Sequence, residues 1–315
     1  MGDLPQRRAE RTRLVFDCVQ SVEGVAVVGV DDADGAFVRL EGLPDMPDPR
    51  VCGLSSDGTK ILFNSSREFD TSLTRLCLLH LPTGDETWRE LTAHTPRDTA
   101  IALSPDGGSI AVLSDAEREE ADGPGRACLD VVDIASGTCE RLWTSPTQSW
   151  SSWECGVVWS PDGQLISITH MCFDHKASDD DWETVVVIDA ATGAALHRLD
   201  FHGHVGWLNN RDLLTWTFDP EVTVLDTGSG ALRNIEIPWD PGQSSGGTAG
   251  ALHDRIVVYR GFNHGPYAYV QTDPSGQDIR PLFTTDVPPG DLFLASDTQP
   301  LDHLGQARPG TGSAA

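Results

Sequence analysis

Leu103–Ser114 reads LSPDGGSIAVLS. Ser, Pro, Asp and Gly stand together, and an apolar run follows them. The phrase returns as WSPDGQLISIT from Trp159 and, weakened, as LSSDGTKILFN from Leu54. A repeated tetrapeptide is either a repeated active site or a repeated turn. Pro and Asp favour the start of a tight turn, and Gly supplies the positive φ near its end. Each copy is flanked by apolar runs of strand length. SPDG is therefore read as a hairpin connector, and Asp57, Asp106 and Asp162 as turn residues rather than catalytic acids.

A second marker is a Gly-containing turn between two short β-like runs. It falls at Gly35, Gly84, Gly137, Gly193, Gly228 and Gly276, at intervals of 49, 53, 56, 35 and 48 residues. Such periods point to an array or a propeller. The units share one grammar. CGVVW leads into SPDG, LISIT follows, and after a variable loop come TVVVIDAATG and then ALHRLD. Short runs rich in Val, Ile and Leu, bounded by Gly, Asp and Pro, are strands. Four antiparallel strands per unit and six marks predict an all-β, six-bladed β-propeller of four-stranded blades, with seven blades as the alternative.

The first unit offers three clear runs, RLVFDCV, VAVVGV and AFVRL, and the tail offers one more, DLFLASD at Asp291–Asp297. The tail run is expected to complete the N-terminal blade and close the ring, which removes two exposed sheet edges. The resulting domain reading is a flexible segment over 1–12, a single propeller over 13–297 and a flexible tail over 298–315.

The strand–SPDG–strand–loop–strand–TG–strand phrase resembles the TolB-type propeller repeat, related to PD40-type (WD40-like) repeats and to the propellers of prolyl oligopeptidases. The resemblance runs from about Val51 to Thr284. It weakens where NNRD (Asn209–Asp212) and LHDR (Leu252–Arg255) replace SPDG. It implies the fold and a scaffold role. The peptidase activity linked to prolyl oligopeptidase propellers does not carry over, because no hydrolase domain follows. WD-repeat proteins are the near alternative, but Trp239-Asp240 is the only WD pair and lies in a loop.

Totals narrow the partners. The formal charge is −26, so nucleic acid and anionic membrane are repelled. No run approaches the length of a membrane span. Residues 1–13, MGDLPQRRAERTR, are too polar for an export signal, and the seven Cys show no CxxC spacing. Reduced thiols and a cytoplasmic location are the expectation. Phosphate-loop and dinucleotide fingerprints are absent, so no cofactor is expected.

Candidate function gathers on one rim. The SPDG and TG turns are short and share a face of a propeller. The long connections share the other, and long loops on a rigid scaffold are where binding usually lives. They hold Arg67, His94, Trp153, His170, Asp174, His175, Trp182, His202, Trp239, His264 and Tyr267. Aromatic, His and carboxylate side chains at a concave mouth suit a protein, peptide or small-molecule ligand.

Four motifs bear on chemistry. HMCFDH, at His170–His175, has no established metal-ligand spacing, so no metal is assigned. DDDW, at Asp179–Trp182, lacks the spaced oxygen ligands of a calcium loop. GQSSG matches GxSxG around Ser244 but lies in a Gly/Ser connector without a following helix. GHVGWL resembles the GH of WD blades, which gives His204 a structural role.

Two readings follow. The first is a non-catalytic binding or scaffold propeller. The alternative is an enzyme of a bacterial pathway, a hydrolase, lyase or cyclase, using His170, His175, His202 or His264 as acid–base groups or metal ligands at the mouth.

Overall fold

The computed structural model describes residues 11–16, 28–31, 37–39, 49–65, 74–80, 85–91, 100–116, 125–150, 156–172, 182–201, 203–216, 221–236, 245–252, 255–261, 267–285 and 292–297. All their regular structure is β. The N-terminal strands are β1 (Arg11–Phe16), β2 (Val28–Asp31) and β3 (Phe37–Arg39). A meander follows: β4 (Pro49–Leu54), β5 (Lys60–Ser65), β6 (Thr74–His80) and β7 (Asp85–Leu91). The next comprises β8 (Ala100–Leu103), β9 (Ser109–Ala116), β10 (Arg126–Asp133) and β11 (Cys139–Thr144). Five strands come next: β12 (Ser149–Trp150), β13 (Val157–Trp159), β14 (Leu165–Cys172), β15 (Trp182–Asp189) and β16 (Ala195–Asp200). Then come β17 (His204–Trp207), β18 (Asp212–Trp216), β19 (Glu221–Asp226) and β20 (Ala231–Glu236). The last meander is β21 (Ser245–Leu252), β22 (Arg255–Gly261), β23 (Tyr267–Thr272) and β24 (Ile279–Thr285), and β25 (Leu292–Asp297) ends the series.

Five blades are each built from consecutive strands, spanning β4 to β24. The remaining sheet is a composite in the order β25-β1-β2-β3, with Arg11 opposite Asp297 and Phe16 opposite Leu292. The innermost strands neighbour one another in the order β4, β8, β13, β17, β21, β25 and back to β4. The expectation of a six-bladed ring of four-stranded blades, or of seven, is therefore corrected: five blades are continuous, and the tail strand pairs with β1 in a separate composite sheet. The blades are not uniform either. In the third continuous blade, β13 pairs with Ile166–Ile168 of β14, and β12 pairs further along with Met171 and Cys172, giving five strands. Counting Gly-turn marks missed this because a mark reports one hairpin, not how many strands its blade recruits or from where. Of the ends read from sequence as flexible, 1–12 and 298–315, residues 1–10 and 298–315 lie outside the described residues, and Arg11 and Thr12 open β1.

The core is a set of layers between blades. Along β9, Ile110 and Val112 pack with Leu62 and Leu76 of the preceding blade, whereas Ala111 and Leu113 pack with Ile166 and Ile168 of the following one. Both faces of a middle strand are thus buried, and its sequence reads as a continuous apolar run. Ile61, Leu62 and Phe63 are fully buried in succession, and Val185, Val186, Val187 and Ile188 are all buried. The outer strands β11 and β16 are largely exposed.

Polar ties stitch the layers together. The Trp207 indole N–H donates to the Val158 carbonyl at 3.2 Å, and the Trp159 indole donates to the Ala102 carbonyl at 3.4 Å. Each joins an inner strand to its predecessor in the ring. Near the outside, the His197 Nε2 lies 2.6 Å from the Thr227 carbonyl, and an Arg233 guanidinium N–H donates to the Pro274 carbonyl. Trp207→Phe keeps the ring stacked but removes one buried donor. It is expected to lower stability by about 1–2 kcal/mol, measured by urea unfolding.

Candidate functional site

Antiparallel meanders divide the connections between two rims. On the first, Ser55, Ser104 and Ser160 each donate a hydroxyl hydrogen to Asp57, Asp106 and Asp162, at 2.6, 2.6 and 2.8 Å. The same carboxylates accept the backbone N–H of Thr59, Gly108 and Gln164. The serine oxygens in turn accept the N–H of Lys60, Ser109 and Leu165. Gly58, Gly107 and Gly163 close the turns at φ of 66, 64 and 71°. Three turns repeat one local network, and the turn reading of SPDG matches it.

Adjacent turns also hold each other. The Lys60 ammonium donates to the Gly107 carbonyl at 2.8 Å, and the Ser56 N–H donates to the Pro105 carbonyl at 2.7 Å. Where Asn209 replaces the serine, its side-chain carbonyl accepts the N–H of Arg211 and of Asp212. The acidity of Asp106 reflects the same bonds. The Ser104 hydroxyl, then the Gly108 amide, hold the Asp106 carboxyl below its ordinary range. The Arg211 guanidinium brings Asp226 down to about 2. A carboxylate so engaged has no call to act as a general acid near neutral pH. Asp106→Ala is expected to cost about 1 kcal/mol in urea unfolding, through loss of those turn bonds.

At the opposite rim stand the strand ends that flank 66–73, 92–99, 117–124, 151–155, 173–181, 237–244 and 262–266, ranges outside the described residues. Arg67, His94, Trp153, Asp174, His175, His202, Trp239 and His264 lie outside the described residues. The backbone brings three other candidates to this rim. His170 and Trp182 lie at facing ends of β14 and β15, where Cys172 pairs with Trp182, and Tyr267 begins β23. His170 and Trp182, expected in a long connection, thus belong to strands.

His170 is the candidate whose side chain can be placed, and it is a core residue. It is 1% exposed. Its position in β14 puts it in phase with Ile166 and Ile168, facing the preceding blade. There its ring centroid lies 5.4 Å from that of Trp143 on β11, at an interplanar angle of 58°. Burial, then the nearby Arg198 charge, lowers its pKa to about 4. The ring is neutral at physiological pH and packed in a seam. Opposite it in register stands Thr184, also fully buried, whose hydroxyl has no hydrogen-bond partner among the described residues.

Three further features bear on chemistry. His204 is exposed and lies against Trp216, 6.0 Å between centroids, which fits its structural reading. Ser244 of the GxSxG match lies outside the described residues, and the next residue opens a strand rather than a helix. Among the described residues no three His, Cys, Asp or Glu side chains gather as a metal site. An apolar crevice lined by Leu62, Leu76, Leu78, Thr87, Ile110 and Ile134 lies between the first two continuous blades and carries no titratable group.

The sequence reading passed over Ser149. The Ala127 N–H donates to its hydroxyl at 3.0 Å, and its own N–H donates to the Gly125 carbonyl, so β12 bridges two blades at this rim. A two-residue strand leaves no periodic signal. The tryptophans that tie inner strands did leave one, since both VVW and VGW end a first strand just before its turn.

No protein-family model matches the chain, and no curated protein matches it. Solved structures do. TolB from Acinetobacter baumannii is similar at 16% identity over 91% of this chain and 67% of that one, with a TM-score of 0.59. The fold is that of a TolB-like β-propeller. A protein named for TolB from Agrobacterium tumefaciens shares 17% identity over 92% and 99% of the two chains, with a TM-score of 0.50. The propeller domain of the Trilobed protease from Pyrococcus furiosus shares 12% identity over 87% and 82%, with a TM-score of 0.52. That domain is described as having an open velcro topology. In the present TolB-like propeller β25 pairs with β1. Likeness at these identities speaks of fold.

Proposed function

We propose that this TolB-like propeller is a binding or scaffold protein whose loop-rich rim takes a protein, peptide or small ligand. One observation carries the reading. On the turn rim the serine hydroxyls and aspartate carboxylates of three SPDG-type turns are engaged in holding the turns themselves, so the long connections of the other rim are the surface left for recognition. The charge of −26 favours partners with basic groups over nucleic acid or anionic membranes. The cytoplasm is the proposed setting, where the thiols of Cys77 and Cys128 stay reduced. The enzyme reading loses one of its four histidines, because the His170 ring is buried against Trp143.

The test compares rims. One variant carries Trp153→Ala, His175→Ala and Trp239→Ala, and the other carries Gln164→Arg and Gln277→Arg on the turn rim. Both are checked for native unfolding before cross-linked capture from source-organism lysate and mass spectrometry. The partner captured by the parent chain is expected to drop at least about tenfold with the first variant and persist with the second, a loss of about 1.4 kcal/mol or more. The reverse pattern would overturn the proposal.

A further inference from the structure

We draw no further inference here: the strongest candidate, the surface patch of exposed apolar side chains Leu196, Leu232 and Ile279 on the outer strands β16, β20 and β24 of three successive blades, carries nothing because nothing in the structure shows what covers it.

Discussion

Replacing Gly193 with alanine is expected to destabilise the propeller by about 3 kcal/mol or more, against about 1 kcal/mol for Gly230→Ala. The two glycines do the same local job. Each ends the turn between the last two strands of its blade, at φ of 72 and 74°. An alanine forced into the left-handed region costs about 1 kcal/mol at either position. The surroundings differ. A Cβ at Gly193 would stand 2.1 Å from the Leu142 carbonyl oxygen and 3.1 Å from its carbon, both backbone atoms of β11 in the preceding blade. At Gly230 the nearest atom is the His197 Cε1, at an ordinary 3.5 Å. The first clash can be relieved only by moving a turn off a neighbouring strand. Overpacking of that kind adds about 1–3 kcal/mol. Urea unfolding of the two variants measures the difference directly. Equal losses would mean that the turn does not rest on β11.

The second large effect depends on pH. The His170 ring stays neutral in the folded chain down to about pH 4, whereas its ordinary value is 6.5. Above pH 6.5 neither state binds the proton, and the stability conferred by burying the neutral ring is complete. As pH falls from 6.5 towards 4, the unfolded chain takes up the proton and the folded chain does not, so stability declines. Below the folded value both states are protonated and the decline from this group ends. The full loss is about 3 kcal/mol. Carboxylates titrate in the same range, so the informative quantity is the difference from His170→Phe, which keeps a ring in the seam but cannot titrate. Urea unfolding between pH 4 and 7.5 is expected to show a shallower pH slope for the variant. Identical slopes would mean that water reaches the imidazole in the folded protein.

Much of the scaffold was legible because its signals are local. Asp106 and Gly107 specify their hairpin by side-chain bonding and backbone conformation within a few residues, and Asp162 with Gly163 repeats the message. The paired ends of the composite sheet were legible from a missing strand at one end and a spare one at the other. His170 was misread for a physical reason. In a half-buried sheet, alternation separates inward from outward positions, but here both faces of β14 are covered by neighbouring blades. A histidine in such a strand looks like any polar residue near a loop until the neighbouring blade, with Trp143, is in place. Ser149 was invisible because its partners, Gly125 and Ala127, lie more than twenty positions away and its strand is two residues long. Ligand identity depends on side chains from several connections converging, and the order of residues along the chain carries no record of that.

The pairing of β1 with β25 sets a timetable for synthesis. β1 leaves the ribosome long before β25 and must wait for it before its sheet is whole, while the intervening meanders meet their partners within short stretches of newly made chain. Contacts between such distant segments form slowly. During that interval β1 presents an unpaired edge, and unpaired edges invite pairing with other chains. Arg11 and Arg13 stand on that edge, opposite Asp297 and Ala295 in the finished sheet. A second copy's β25 fits that edge as well as the chain's own, so exchange of the last strand between copies is the hazard the delay creates.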